Sequence, residues 1–314
     1  MARYLVTGGA GFIGSNIVGE LVRQGEKVRV IDNFSTGLRE NLISFKKQVE
    51  VVEGSLTDLE TVRLAVKGVN YVLHQGALPS VPRSIEQPLN TNDVNVVGTL
   101  NVLVASKDEK VERVVVASSS SVYGNSSVMP KVENMMPMPL SPYAVSKLTC
   151  EYYAKVFFDL YGLQTVALRY FNVFGPKQNP NSQYSAVIPR FIKAMINGNS
   201  PIIYGDGSQS RDFSFVENVV NANLLTVKKN DLGGQVINIA CQEAHSLLDL
   251  VTVLNSILGT SIVPEFEPSR AGDVKHSLAN ISFAKKVLGY IPMIGWEEGL
   301  RRTVQWYQEK EGVQ

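Results

Sequence analysis

Cysteine and histidine are scarce in this chain of 314 residues. The 2 cysteines, Cys150 and Cys241, stand far apart and match no metal or redox spacing. That excludes a disulfide framework and makes a reducing cytoplasm the simplest setting. The 3 histidines, His74, His245 and His276, fall in different segments, so no metal cluster is expected. Charge of one sign is also lacking. A formal net charge of +1 argues against nucleic acid or an anionic membrane as the main partner. No apolar run reaches the roughly 20 residues that cross a bilayer. The N-terminus enters a strand pattern at once, so no signal peptide is expected. Repeats and low-complexity segments are missing as well. What remains, with 44% hydrophobic and 19% charged residues, is the composition of a globular protein with an ample core. The length suits about two domains.

Strand and helix patterns alternate along the chain. Strands are expected at 3–7, 27–32, 49–53, 69–74, 111–118 and 164–170. Helices are expected near 12–24, 58–67, 86–107 and 142–161. This alternation predicts an α/β fold, a Rossmann-type doubly wound parallel sheet with helices on both faces. From Gly175 onward Pro176, Pro180, Pro189, Pro201 and several glycines break the period. A smaller, mixed α/β C-terminal substrate domain is expected there. Asp212–Lys228 and Gln235–Ala240 read as a helix and a strand returning to the sheet, and helices are expected near 246–258 and 295–310. The division is therefore 1–174 plus about 212–240 for the first domain, and about 175–211 plus 241–314 for the second.

The first strand runs into Thr7-Gly8-Gly9-Ala10-Gly11-Phe12-Ile13-Gly14, and an amphipathic helix follows. Gly8 permits a tight turn, Gly11 lets the backbone approach a pyrophosphate, and Gly14 lets helix and strand pack closely. The helix N-terminus offers N–H groups and a positive dipole end to the phosphates. The second strand ends at Asp32, whose carboxylate can take both ribose hydroxyls of an adenosine and repel a 2′-phosphate. That favours NAD over NADP. Arg39 lies nearby and can soften this charge. A glycine-rich turn with no ligand is the plain alternative, and the strand before it and helix after it count against that.

The segment Ser141-Pro142-Tyr143-Ala144-Val145-Ser146-Lys147 sets a tyrosine one helical turn before a lysine, on one face. A lysine ammonium beside a phenol favours the phenolate, the form that accepts a proton. By itself such a pair usually just lines a surface. Upstream, Ser118-Ser119-Ser120-Ser121-Val122-Tyr123-Gly124 closes an apolar strand at the C-terminal end, where ligands bind in open α/β sheets. A polar strand end with capping hydroxyls is the bland account of it.

With these residues the chain resembles the extended short-chain dehydrogenases/reductases, and within them the nucleotide-sugar 4-epimerases. Thr7–Gly14, Ser119, Tyr143 with Lys147, and Arg169-Tyr170-Phe171-Asn172 carry the likeness over essentially the whole chain. It is most similar to the UDP-N-acetylglucosamine 4-epimerases, through Ser80-Val81-Pro82-Arg83-Ser84, Leu140-Ser141-Pro142-Tyr143, Ala186-Val187-Ile188-Pro189 and Gly272-Asp273-Val274-Lys275-His276-Ser277.

The resemblance implies a bound NAD, a UDP-sugar substrate and a catalytic set of Ser119, Tyr143 and Lys147. In this scheme Tyr143 takes the 4-hydroxyl proton while hydride leaves for NAD. A 4-keto sugar then turns in the site and takes the hydride back on its other face. Cofactor contacts are implied at Gly8, Gly11, Phe12 and Ile13, at Asp32, Asn33, Ser35, Thr36 and Gly37, at Ser55, Leu56, Gln75, Gly76, Ala77, Asn95 and Tyr170, and at Tyr143 and Lys147. Substrate contacts are implied at Ser80, Ser119, Ser120, Tyr143, Asn172, Ala186, Val187, Tyr204, Arg211, Arg270, Asp273 and Ser277. Arg211 and Arg270 are expected to clamp the diphosphate, although a solvated surface charge is the plain reading of each. Asn95 can equally be a buried, satisfied amide.

Two departures from the family pattern bear on chemistry. Gly54-Ser55 replaces the Gly-Asp that often holds the adenine amino group. Ser121 stands where related dehydratases and decarboxylases carry an acid, so elimination lacks its proton-transfer group. Ser277, small where enzymes limited to UDP-Glc and UDP-Gal carry tyrosine, points to UDP-GlcNAc/UDP-GalNAc with some UDP-Glc/UDP-Gal turnover. The rival readings are an epimerase of another nucleotide hexose, a dehydratase or decarboxylase, a dehydrogenase that releases NADH, and a non-catalytic NAD-binding protein. Helices 86–107 and 142–161 are apolar on more than one face, through Val94, Val97, Leu100 and Val104 on one and Leu148, Tyr152, Val156 and Phe157 on the other. Relatives pair such helices across a two-fold axis, so a homodimer is expected.

Overall fold

Alternating strands and helices run through the computed structural model, which describes residues 2–180, 186–269 and 275–312. In chain order these are β1 (Arg3–Thr7), α1 (Phe12–Arg23), β2 (Lys27–Asp32), β3 (Val49–Glu53), α2 (Leu59–Val66) and β4 (Tyr71–His74). Next come α3 (Val81–Glu86), α4 (Pro88–Asn92), α5 (Gly98–Asp108), β5 (Arg113–Ser119), α6 (Pro142–Tyr161) and β6 (Thr165–Tyr170). The rest comprises β7 (Val173–Phe174), α7 (Val187–Ile196), β8 (Ile202–Tyr204), β9 (Ser210–Arg211), β10 (Ser214–Phe215), α8 (Val216–Lys228) and β11 (Gln235–Ile239). It closes with β12 (His245–Ser246), α9 (Leu247–Leu258), β13 (Glu265–Glu267), α10 (Ser282–Leu288) and α11 (Trp296–Glu311).

A seven-stranded sheet takes the order β11-β6-β5-β4-β1-β2-β3. All its pairings are parallel. A parallel sheet is covered on both faces and its strands read as apolar runs. Val114, Val115 and Val116 of β5 are accordingly buried. One face packs Val6 and Val115 against Ile17 of α1 and Val219 of α8. The other packs Leu5 and Val114 against Val62 of α2, Val102 of α5 and Ala154 of α6. The order reverses direction between β1 and β4, the switch point where such sheets bind ligands.

Two local features place the reactive helix. Ser141 Oγ accepts the Ala144 N–H at 3.1 Å and Pro142 occupies the first turn, so α6 starts there. Tyr143 is thereby fixed on the turn that faces the end of β5.

The helix expected over 86–107 is broken. Gln87 leaves helical geometry between α3 and α4, and a π-helical turn spans Asp93–Val97 before α5. The helix expected from Asp212 starts at Val216. Asp212 instead accepts N–H groups of Cys241, Gln242 and Ala279, tying three segments together, and its burial pushes the carboxyl up to about 6. Helix α7 was hidden in the Pro-rich stretch. Pro189 is its third residue, where a helix has no N–H bond to lose. Among the described residues, no helix is long and apolar enough to cross a membrane.

Candidate active site

The C-terminal ends of the central strands open into a cavity of about 1170 Å³. Sites for one small ligand run to roughly 300–1,000 Å³, so there is room for more than one. Gly8 has φ +62, and a Cβ there would come within 2.7 Å of the Gly76 Cα. The turns after β1 and β4 thus touch backbone to backbone. A Cβ on Gly14 would lie 2.2 Å from the Gly8 oxygen, so α1 can sit this close only because position 14 lacks a side chain. Helix α1 has no side-chain cap and no acidic residue in its first turn. Gly11, Phe12 and Ile13 line the cavity at that uncapped N-terminus, an arrangement suited to a phosphate.

Asp32 ends β2. Its Oδ2 accepts the Ala10 N–H at 2.9 Å and its Oδ1 the Phe34 N–H at 2.8 Å. A carboxylate has about four acceptor positions, so two remain for ribose hydroxyls. Asn33, Ser35, Thr36 and Gly37 line the same end. Arg39 pairs with Glu53 at 2.5 Å and its guanidinium lies 3.8 Å from the Phe34 ring centroid. Glu53 is paired with Asp32 in the register of β2 and β3, so Arg39 lies at the same strand end as Asp32 with its charge shared by Glu53. Ser55 and Leu56 also line the cavity, with the Ser55 hydroxyl 2.8 Å from that of Thr57.

Gln75, Gly76 and Ala77 leave β4 along the cavity wall. Gln75 Nε2 donates to Tyr170 Oη and to Asn223 Oδ1, each at 3.2 Å. Burial pushes the Tyr170 phenol up to about 12, so it stays protonated. Asn95 sits behind this wall rather than on it. Its Oδ1 accepts the Leu78 N–H at 2.7 Å, and its Nδ2 donates to Leu78 O at 3.2 Å and Ser146 Oγ at 3.0 Å. Asn95 is thus the buried, satisfied amide that the sequence allowed, a clasp on the loop that carries Gly76 and Ala77. His74 supports the same loop. Thr99 Oγ1 donates to Asn95 O at 2.6 Å and so accepts from His74 Nε2 at 2.9 Å. His74 Nδ1 then accepts from Thr7 Oγ1 at 2.7 Å, and Thr7 Oγ1 accepts the Gly76 N–H at 3.0 Å. Burial, and next the charge of Lys147, push the imidazole down to about 3, so it is neutral.

At the end of β5, Ser119 Oγ accepts the Ser121 N–H at 3.2 Å, which leaves its O–H to offer to a ligand. Ser120 lines the cavity beside it. Tyr143 and Lys147 lie one turn apart on α6 and both line the cavity. Lys147 Nζ is 6.0 Å from the Tyr143 ring centroid. It donates to Ala117 O at 2.9 Å, which anchors the cation to the strand that carries Ser119.

The opposite wall holds Ser80, Asn172, Ala186, Val187, Tyr204, Arg211 and Ser277. Ser80 has φ 100 and Asn172 φ 34, both positive for residues with a Cβ, and such strain gathers at functional sites. Arg211 Nη1 donates to Ser210 O and Lys275 O, each at 3.0 Å. Arg270 and Asp273 lie outside the described residues.

Sequence reasoning gave no role to Lys177 or Arg190, which also line the cavity. Lys177 Nζ faces Ser15 O at 3.4 Å and Asn41 O at 3.3 Å, and burial pushes it down to about 8. The Arg190 guanidinium is 5.9 Å from the Tyr204 ring centroid. The signal for Lys177 was a charge set in the Gly175-Pro176 turn just after Asn172. For Arg190 none was visible while α7 went unseen. Arg83, Lys131, Lys147, Lys177, Arg190 and Arg211 thus face a cavity whose described lining has one carboxylate, Asp32. In a chain of net charge +1, that concentration marks a site for a polyanion. Among the described residues, no group of three or more His, Cys, Asp or Glu is placed to hold a metal.

Comparison with known proteins agrees with this geometry. The UDP-glucose 4-epimerase of Mycolicibacterium smegmatis is 36% identical over 312 residues, covering 98% of this chain and 99% of that one. The structure of UDP-N-acetylglucosamine 4-epimerase from Methanobrevibacter ruminantium M1, in complex with UDP-N-acetylmuramic acid, superposes with a TM-score of 0.94 at 42% identity. It covers 98% of this chain and 99% of that chain. The UDP-glucose 4-epimerase of Thermotoga maritima with UDP-glucose gives a TM-score of 0.94 at 35% identity, covering 98% and 99%. Residues 4–240 match the family model for NAD-dependent epimerases and dehydratases, and the chain belongs to the NAD dependent epimerase/dehydratase family.

Proposed function

We propose that the protein interconverts the 4-epimers of a UDP-hexose, UDP-GlcNAc/UDP-GalNAc foremost and UDP-Glc/UDP-Gal to a lesser extent. The observation that carries this reading is the meeting of Ser119, Tyr143 and Lys147 in one cavity with the glycine cradle and Asp32. The cradle fits NAD. The uncapped start of α1 takes the diphosphate, Asp32 the adenosine ribose, and the backbone contact of Gly8 with Gly76 leaves no side chain in the way. NAD held there would supply a reversible hydride acceptor for sugar carbon 4.

The chain's own groups do the rest. The Tyr143 phenolic oxygen takes the 4-hydroxyl proton and later gives it back. Ser119 donates to the same sugar oxygen and holds it in line. Lys147, fixed by Ala117 O, supplies positive charge near the phenolic oxygen as the proton moves. Arg211 faces the substrate diphosphate, and Asn172, Ser80 and Ser277 border the sugar. In this reading residues 1–174 with about 212–240 hold NAD, and about 175–211 with 241–314 hold the nucleotide sugar.

The family also contains dehydratases, and Ser121 separates this chain from that chemistry. Its hydroxyl is buried without a hydrogen-bond partner, and no carboxylate stands in its place to move a proton from carbon 5. Incubation with UDP-GlcNAc, UDP-GalNAc, UDP-Glc and UDP-Gal, with products resolved by anion exchange, tests the reading. Conversion of the acetylated pair at the higher kcat/KM supports it. A 4-keto or decarboxylated product, or net release of NADH, overturns it.

A further inference from the structure

Helix α6 carries a third residue on the face of Tyr143 and Lys147. Glu151 follows at the same four-residue step, and its side chain is 3% exposed. Arg169 of β6 grips its carboxylate in a two-pronged pair, Nε to Oε1 at 2.8 Å and Nη2 to Oε2 at 2.7 Å. Ser118 Oγ donates to the same Oε1. Ser118 and Arg169 are directly paired in the register of β5 and β6, and the next pair is Ser119 with Tyr170. The remaining guanidinium nitrogen, Nη1, donates to Glu133 O at 3.3 Å, and the group lies 4.7 Å from the Tyr123 ring centroid.

Two consecutive turns of α6 are therefore tied to two consecutive residues of β5. Lys147 binds Ala117 O, and Glu151 binds Ser118. A buried ion pair is a poor way to gain stability, because desolvation cancels most of the attraction and apolar residues of like volume often serve as well. What the planar fork adds is geometry: it accepts one placement of the carboxylate and no neighbouring one. Since α6 is rigid, that placement sets how far Tyr143 stands along the strand ends relative to Ser119.

We propose that Glu151 and Arg169 are positioning residues, a buried clamp that fixes the height of α6 against β5 and β6 and thereby the spacing of Tyr143 from Ser119. Neither lines the cavity itself; they reach it through Ser118 and Tyr123, which do. The inference rests on the reading of Ser119, Tyr143 and Lys147 as the reacting set. A misplacement of about 1 Å at a reacting group costs on the order of 10²-fold in rate.

The test uses the full-length protein, with Glu151→Met/Arg169→Met to replace the pair by apolar volume and Glu151→Asp to keep the charge but shorten the reach. Melting temperature, kcat, KM and amide exchange over 142–151 are measured for each. For the double variant the clamp predicts a melting temperature within about 4 °C of wild type. It also predicts kcat lower by roughly 10–10²-fold, KM within about threefold and faster exchange in the first two turns of α6. Glu151→Asp should show the same split of kcat from KM, and it decides the matter if the double variant does not fold. Wild-type kcat and wild-type exchange in whichever variant folds overturn the clamp. So does a kcat loss that merely follows a general loss of melting temperature. Should the wild-type protein epimerise no UDP-sugar, the proposed function fails by itself, while the exchange data still decide whether the pair holds α6.

Discussion

Asn172 and Ser277 meet in the cavity wall, where Asn172 Nδ2 donates to Ser277 Oγ at 3.1 Å across 105 residues of sequence. The same amide nitrogen donates to Asp212 O at 3.1 Å, so Asn172 is held from both sides in a backbone conformation with φ 34. The small side chain at 277 is thus part of a pair that shapes the wall. In the proposed reading a tyrosine there would fill the space beside the sugar's second carbon, and it would strip Asn172 of one partner. Ser277→Tyr is expected to abolish turnover of UDP-GlcNAc and UDP-GalNAc and to spare UDP-Glc and UDP-Gal. Comparison of kcat/KM for the two pairs checks it. UDP-GlcNAc conversion at the wild-type rate shows that this wall is not the gate.

In the proposed reading Asp32 governs the choice of cofactor. Its carboxylate is oriented by two backbone N–H groups, and Arg39 is engaged by Glu53 and Phe34. NAD(H) is expected in the supernatant of a denatured fresh preparation, with NADP absent. Asp32→Ala would remove the two proposed ribose contacts, each worth about 1.5–3 kcal/mol for a charged hydrogen bond. Dinucleotide retention should fall by more than tenfold in calorimetry. Tighter binding of NADP than of NAD by the wild type contradicts the assignment.

Tyr143→Phe deletes one oxygen from a half-buried ring and disturbs no hydrogen bond of the described structure. Fold and NAD content are expected to persist while kcat drops by roughly 10²–10⁴-fold, the usual worth of a general acid–base group. Lys147→Ala differs, because it also cuts the tie to Ala117 O and removes a buried charge. It should lose turnover and weaken NAD retention together. More than a small fraction of wild-type turnover in Tyr143→Phe rules the tyrosine out as the proton shuttle.

The first half of the chain is legible because its signals are local. β1, β2 and β3 match their expected bounds, since β-branched runs between glycine turns leave little choice, and the Gly8–Gly14 turn adjoins the strand it serves. The 86–107 segment misleads because its apolar pattern runs through Gln87-Pro88 without a change of period, while the backbone breaks there and adds a π turn. Asn95 shows a further limit. Its residue type and place are those of a cofactor ligand, yet only coordinates reveal that Leu78 and Ser146 use its amide. Glu151, Arg169 and Ser118 lie on three elements, so no periodicity could join them. Lys177 and α7 belong to the Pro- and Gly-rich stretch, where turn residues hide the helical period.

Assembly follows from what α3 to α6 leave uncovered. Val97, Val145, Tyr152, Val156 and Leu160 are 38%, 50%, 58%, 43% and 70% exposed in the single chain. Phe157, grouped with them on sequence grounds, is buried against the sheet instead. Tyr152, Val156 and Leu160 recur at four-residue steps along α6, so they form one outward stripe, and Val145 and Val97 add to the exposed apolar area. Exposed apolar area of this kind marks an interaction face. A two-fold pairing covers the same stripe on both copies at once. A homodimer is therefore expected, with light scattering at micromolar concentration giving twice the chain mass of 34.5 kDa. Tyr152→Glu/Val156→Glu places two like charges opposite their own copies and should shift the mass to that of one chain. A monomer mass for the wild type, or a dimer that survives both charges, removes this face from the assembly.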